Sequence, residues 1–275
     1  MKNTSKLFLT IFALAFTLIA AGCGSSNDTA KVDPNAPLKI GVTAGPHAEL
    51  MDHFKALAKK EGLNIEVVEF ADYVTPNTAL AQGELFANSM QHEPYLKATN
   101  EKNPSYKLVN VFNTVNFPMA AYSDKLKRGD KIPDNAIISI PNDPSNGARA
   151  LLVLDAAGVI KVKDNKNVMT SVNDIVENPH NITFQELDAA AVPRSLQDVT
   201  LAVINTNYAL ELGFNPVKDS IYLEPASSPF VNIFVTTEKN LKDPRIQKIK
   251  KLYQSAAMED FIKEKYKGSV TPGWK

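Results

Sequence analysis

Arg149 occupies the position in this chain best suited to hold an anion. It follows the turn Asn142-Asp143-Pro144, in which Asp143 is suited to cap a helix and Pro144 to open it, so the spacing predicts Arg149 in the first helical turn after a strand. There a guanidinium and unpaired helix N–H groups can jointly hold a carboxylate in bidentate fashion. From position alone, a surface ion pair is an equal alternative. Asn205, which ends the apolar run Leu201 to Ile204, and Asn232 offer amides to a small polar ligand, although asparagine at such places more commonly serves turn geometry. The stretches Phe70 to Asn77 and Ala87 to Tyr95 gather Tyr73, Met90, His92 and Tyr95 at loop and helix-start positions. Rings and a thioether are usually core. Their interleaving with Asn, Gln, Asp and Pro points instead to a half-apolar pocket with a polar rim.

Catalytic chemistry has little support. The four histidines, His47, His53, His92 and His180, show no spacing that sets two ligands on one helical face, and the sole cysteine is Cys23, so no zinc site is expected. Neither a G-x-S-x-G elbow, a P-loop nor a G-x-G-x-x-G run is present. The expectation is a binding protein without enzymatic activity and without a cofactor. Basic and acidic residues alternate along the chain, which removes nucleic acid as a partner.

These residues must be positioned by an α/β framework. Leu38 to Val42 reads as a strand, a turn at Gly45-Pro46 leads into a helix through Leu50, Phe54 and Ala58 to Gly62, and Ile65 to Phe70 is the next strand. The theme recurs at Ala136 to Ile140 with a helix from Ala148 to Ala157, and again at Leu201 to Ile204 with a helix from Thr206 to Leu212. Alternation of this kind implies parallel sheets covered on both faces. Lys107 to Tyr122 and Ile221 to Thr237 are longer than ordinary strands and read as two crossovers, the alternative being a single sheet with long edge strands. The expected organisation is a lobe built from 38–118 plus 228–275 and a second lobe from 119–227, with Ile246 to Tyr266 packing as helix on the first.

The N-terminus carries a separate message. Lys2 and Lys6 precede an uncharged apolar run, Leu7 to Ala21, that stops at Gly22-Cys23. Spanning a bilayer core takes about 20 apolar residues, so this run is too short to remain as an anchor and fits a signal peptide, 1–22. Small residues before Cys23 and polar residues after it mark the cysteine for lipidation rather than burial. Removing 1–22 leaves 28 basic and 30 acidic side chains, a formal charge of −2. More than one acyl chain on Cys23 would hold the protein on a membrane, and residues 23–37 have the composition of a flexible tether.

Five motifs taken in order resemble one family: D-Y-V-x-P-N at Asp72 to Asn77, A-N-x-x-Q-H-x-P-Y-L at Ala87 to Leu96, P-N-D-P-S-N at Pro141 to Asn146 with Arg149, L-A-V-I-N at Leu201 to Asn205, and S-P-F-V-N at Ser228 to Asn232. The chain is similar to the substrate-binding lipoproteins of methionine ABC importers. That resemblance implies a two-lobed periplasmic-binding-protein fold of type II kind, each lobe a sheet flanked by helices. It further implies a monomer, lipid-anchored outside the cell membrane, that closes on methionine and delivers it to a permease driven by an ATPase. Carried over residue by residue, Arg149 becomes the carboxylate partner, Asn205 and Asn232 bind the amino acid's backbone groups, and Tyr73, Met90, His92 and Tyr95 wall the thioether. Met90 stands where the family usually has Phe, and Phe86 where an acidic residue is common. The first departure softens the pocket and leaves a methionine-containing dipeptide or another small amino acid as alternative ligands, beside a surface interaction lipoprotein that has lost its ligand. On this reading, Arg149→Ala removes binding while leaving the stability of the ligand-free chain nearly unchanged.

Overall fold

The computed structural model describes residues 36–275. The predicted signal segment 1–22, Cys23 and the tether as far as residue 35 lie outside the described residues. No helix among the described residues is long and apolar enough to cross a membrane.

Two five-stranded sheets organise the chain. The first uses β1 (Leu38–Thr43), β2 (Ile65–Phe70), β3 (Ala87–His92), β4 (Leu108–Asn113) and β13 (Asn232–Thr237) in the order β2-β1-β3-β13-β4. The second uses β6 (Ala120–Tyr122), β7 (Ile137–Pro141), β10 (Thr183–Leu187), β11 (Leu201–Ile204) and β12 (Tyr222–Leu223) in the order β10-β7-β11-β6-β12. Two small ribbons complete the strands, β5 (Val115–Asn116) with β14 (Thr271–Pro272) and β8 (Lys161–Val162) with β9 (Ile175–Glu177). The helices are α1 (Pro46–Lys60), α2 (Thr75–Ala81), α3 (Glu93–Lys102), α4 (Pro144–Ala156), α5 (Thr206–Glu211), α6 (Pro216–Asp219), α7 (Arg245–Tyr253) and α8 (Ala256–Tyr266).

The α/β fold of two helix-flanked sheets joined by two crossover passages is as expected, with four corrections of detail. The sheets are mixed rather than parallel: β1 runs parallel to β2 and β3, and β7 parallel to β10 and β11, but β13 pairs antiparallel with β3 and β4, and β6 antiparallel with β11 and β12. Each antiparallel insertion is a strand next to a crossover, where the chain reverses direction as it changes sheet. The crossovers themselves are not continuous strands, because Thr114, Phe117 to Met119 and Glu224 to Val231 break the ladder between paired segments. The C-terminal stretch divides into α7 and α8 at Gln254-Ser255, and both halves bury apolar faces against α1 and the first sheet. Finally, α4 begins at Pro144, so Arg149 sits in its second turn rather than its first.

Local chemistry explains the elements that matter for the site. Gly45 takes a left-handed φ of 71° at the N-cap of α1, a conformation that costs glycine nothing, and Pro46 then opens the helix. Asp143 caps α4 by accepting from the Asn146 N–H at 2.9 Å. Strand β3, Ala-Asn-Ser-Met-Gln-His, is buried at all six positions although four of them carry polar side chains. It tolerates this because Asn77, Asn88 and Gln91 close a ring of amide hydrogen bonds, Asn77 Nδ2 to Gln91 Oε1 at 3.0 Å, Gln91 Nε2 to Asn88 Oδ1 at 2.8 Å and Asn88 Nδ2 to Asn77 Oδ1 at 2.8 Å.

The core of the first sheet centres on Phe54, Phe112, Phe234 and Tyr253, and that of the second on Ile138, Ile140, Leu154 and Val203. Phe234 is fully buried on β13 and stacks on Phe112 with ring centroids 4.9 Å apart and planes 8° from parallel. Phe234→Ala therefore opens a cavity in the middle of a sheet. Its expected cost is about 3–5 kcal/mol, read as a fall in the urea midpoint at constant m-value.

Candidate functional site

A narrow cavity, about 20 Å³ in volume, lies where the first and second sheets face each other. It is lined by His47, Tyr73, Met90, Gln91, His92, Tyr95, Phe117, Asn146, Arg149, Asn205, Thr206, Asn207 and Asn232. All seven sequence-predicted ligand residues face this one space. Met90 and His92 come from β3, which corrects their expected loop position: a central strand can carry polar residues when a side-chain amide ring satisfies them. Tyr95 sits in the first turn of α3, Tyr73 in the bend before α2, Arg149 on α4, Asn205 at the C-terminal end of β11 and Asn232 at the start of β13. Sequence reasoning left out His47, Gln91, Phe117, Asn146, Thr206 and Asn207 from the lining, and Glu224 behind it. Asn146 and Asn207 stand within or two residues beyond quoted motifs; Glu224 had no local signal, since its partner is 75 positions away.

Arg149 is 2 % exposed, and Glu224, at the end of β12, holds it through two parallel bonds, Nε to Oε1 at 2.7 Å and Nη2 to Oε2 at 2.5 Å. Nη2 also donates to the Phe117 carbonyl at 2.7 Å, and the Phe230 ring lies 4.9 Å beneath the guanidinium carbon. The bidentate edge expected to meet a ligand is thus spent inside the protein. Nη1 has no hydrogen-bond partner among the described residues, so it is the donor left for a ligand.

The polarity of the remaining network follows from Asp143, whose carboxylate receives both bonds from Asn146 Nδ2, at 3.1 and 2.9 Å. Asn146 Oδ1 is therefore the acceptor, taking a bond from Asn205 Nδ2 at 2.9 Å and one from His92 Nε2 at 3.1 Å. Asn205 must then present Oδ1 outward, and that atom is buried without a partner among the described residues. Although Asn205 occupies the N-cap of α5, its side chain makes no capping bond, so turn chemistry does not account for it. On the other side, the Tyr73 hydroxyl donates to Asn207 Oδ1 at 2.5 Å, leaving Asn207 Nδ2 a buried donor without a partner among the described residues.

Both histidines are neutral. His47 Nε2 donates to Asn232 Oδ1 at 3.2 Å while Nδ1 accepts from Thr43 at 2.7 Å. His92 donates at Nε2 and accepts the Tyr95 backbone N–H at Nδ1, 3.2 Å away. Burial pushes His47 down to about 4, and burial together with the nearby Arg149 cation pushes His92 down to about 3. Burial also drives the Tyr73 phenol well above its ordinary range, so it stays a hydroxyl. The apolar wall is Tyr73, Met90 and Tyr95, part of a cluster that continues through Tyr122, Val192 and Tyr208. Tyr73 meets Tyr95 edge-on at 6.0 Å and Tyr208 at 5.3 Å. The arrangement offers two donors and one acceptor beside an oily pocket. No cluster able to hold a metal exists among the described residues.

Comparison with known proteins gives a consistent outcome. The NlpA lipoprotein family model matches residues 38–274. A probable D-methionine-binding lipoprotein MetQ of Vibrio cholerae is 43 % identical over the whole of both chains, and the D-methionine-binding lipoprotein MetQ of Escherichia coli is 41 % identical over 98 % of each. Among solved structures, a nutrient-binding protein from Burkholderia cenocepacia bound to methionine superposes with a TM-score of 0.83 at 44 % identity, covering 86 % of this chain and 99 % of that one. An ABC transporter periplasmic substrate-binding protein from Coxiella burnetii superposes with a TM-score of 0.82 at 39 % identity, covering 86 % and 98 %.

Two outcomes follow from the electrostatics. The folded-state values of His47 and His92 lie below the unfolded value of 6.5, so the unfolded chain binds more protons and stability is lost as pH falls. Each histidine is expected to cost about 2 kcal/mol between pH 7 and pH 5, measured by urea unfolding of the ligand-free protein, with His47→Gln removing about half of the slope. Arg149→Ala leaves Glu224 buried and unpaired, which overturns the expectation of unchanged stability. It should destabilise the chain by about 3–5 kcal/mol, visible as a large drop in melting temperature.

Proposed function

The chain belongs to the NlpA lipoprotein family, and we propose that it is the substrate-binding lipoprotein of an ABC importer, capturing methionine between two lobes and delivering it to a membrane permease. The observation that carries this reading is the set of polar groups gathered in one cavity: Asn207 Nδ2 as donor and Asn205 Oδ1 as acceptor, both buried without a partner among the described residues, and the Arg149 guanidinium, bonded only through Nε and Nη2, beside the Tyr73, Met90 and Tyr95 wall. A zwitterion leaving water must have both ends paired, because an unpaired buried charge costs several kcal/mol. The carboxylate takes the donors, the ammonium takes Asn205 Oδ1, and the thioether lies on the rings. Methionine has about nine non-hydrogen atoms; at a ceiling of about 1.5 kcal/mol per atom its affinity is bounded near 13 kcal/mol, and micromolar binding needs about 8. Nearly complete enclosure is therefore required, which favours closure of 38–118 plus 228–275 on 119–227.

On the same reading residues 1–22 are a signal peptide, acyl chains on Cys23 fix the monomer to the outer side of the cell membrane, and 23–37 tether it within reach of the permease and its ATPase. The ligand is handed on unchanged, so the protein is not an enzyme.

Native mass spectrometry of freshly purified protein should show an adduct of methionine's mass; a dipeptide mass, or no adduct and no calorimetric response to methionine, would remove this reading. Asn205→Ala is expected to weaken methionine about 10–100-fold by calorimetry, with little change in melting temperature because Asn146 Oδ1 keeps its bond to His92.

A further inference from the structure

We infer that Glu224 is a positioning residue that sets the charge selectivity of the site, restricting it to ligands that bring an ammonium together with their carboxylate; this rests on the amino-acid reading above. Glu224 lies outside the cavity lining and touches the ligand space only through Arg149. Four donors converge on its carboxylate: Arg149 Nε and Ser228 Oγ on Oε1 at 2.7 and 2.6 Å, and Arg149 Nη2 and the Met119 N–H on Oε2 at 2.5 and 2.8 Å. Its side chain is 4 % exposed and that of Arg149 is 3 % exposed, so solvent screens neither charge.

Two consequences follow from this geometry. The first is steric: with Nε and Nη2 engaged, the guanidinium meets a ligand through one nitrogen, Nη1, in a fixed direction. The second concerns charge. Alone, a buried guanidinium would draw any small anion; paired, it contributes no net charge, and the histidines His47 and His92 add none. The other charged groups acting on the pocket wall, Asp143, Asp72 and Asp188, are all acidic, and Asp143 begins the hydrogen-bond chain through Asn146 to Asn205 Oδ1. A carboxylate entering without its own cation meets a neutral or negative surround and gains too little to offset its lost hydration. A zwitterion supplies the missing positive charge and places it at the end of the chain that Asp143 polarises. Selectivity for zwitterions then comes from a residue the ligand never touches.

Calorimetry with methionine and with 2-hydroxy-4-(methylthio)butanoate tests this, since the second molecule keeps the carboxylate and thioether but lacks the ammonium. Wild-type protein should bind methionine at least about 100-fold tighter than the hydroxy acid. Glu224→Gln should narrow that ratio by about tenfold or more, and Glu224→Asp, which keeps the charge, should restore it. A ratio left unchanged by Glu224→Gln, with both ligands weakened alike, would mean a merely structural role and overturns the proposal, as does an equal loss of selectivity in Glu224→Asp. If Glu224→Gln does not fold, the wild type still decides: a hydroxy acid binding within tenfold of methionine overturns the inference, and the wide gap together with its retention in Glu224→Asp supports it. Absence of methionine binding by the wild type would sink the amino-acid reading itself, an outcome distinct from binding with an unaltered ratio.

Discussion

A guanidinium removed from water must be surrounded by acceptors, and the way Arg149 meets that demand arranges everything near it. Its acceptors come from both crossovers, Phe117 from the first and Glu224 from the second, while the arginine itself rides on α4 of the second sheet. One ion pair thus ties a helix to the two passages where the chain changes sheet. Phe230, beneath the guanidinium, and His92, edge-on to Phe230 at 5.0 Å, extend the same contact to β3 of the first sheet. Buried ion pairs seldom add net stability relative to apolar packing. The retention of this one makes sense as orientation: the pair engages Nε and Nη2, fixes the plane of the guanidinium at the cavity wall, and leaves Nη1 without a hydrogen bond among the described residues.

Preorganisation extends beyond the arginine. Amide groups are ambiguous in isolation, because either end can face either way, but a carboxylate accepts only. Asp143 therefore dictates the orientation of Asn146, which dictates that of Asn205, so an acceptor stands in the cavity. Neutral histidines serve the same end. A charged His92 beside Arg149 would be repelled, and a charged His47 would lose its role as acceptor for Thr43. Depressed basicity at both positions keeps them as directional hydrogen-bond partners near neutral pH. The orphan atoms that remain, Asn205 Oδ1 and Asn207 Nδ2, would be costly defects in an ordinary core. Both belong to residues that line the cavity, where a polar molecule could satisfy them.

Much of this was legible along the chain. The alternation of strand and helix, the Asp143 cap and the Pro144 helix start follow from local rules, and β1, β2 and α1 fall within a few residues of their expected bounds. The seven residues expected at a ligand line one cavity, and they were legible because they cluster in motifs at the ends of strands. Strand β3 was missed because Asn, Ser, Gln and His do not look like a buried strand until the amide ring around Asn77 is seen. The first-turn assignment of Arg149 failed because the helix body was read from Ala148, whereas its regular turns begin at Pro144, where Asp143 already engages the Asn146 N–H.

By itself the chain determined its fold class, the two crossover passages, the identity of seven cavity residues and the segments at the N-terminus that read as signal and lipid acceptor. These depend on periodicity, composition and short spacings, which act between near neighbours. Only the tertiary structure decided what Arg149 is bonded to, which amide end faces the cavity and which polar atoms stay unpaired. Those outcomes rest on contacts such as Arg149 with Glu224, Tyr73 with Asn207 and His47 with Asn232, separated by 75, 134 and 185 positions. Hydrogen-bond satisfaction in a buried volume is a property of all groups that converge there, and no window of sequence contains them together.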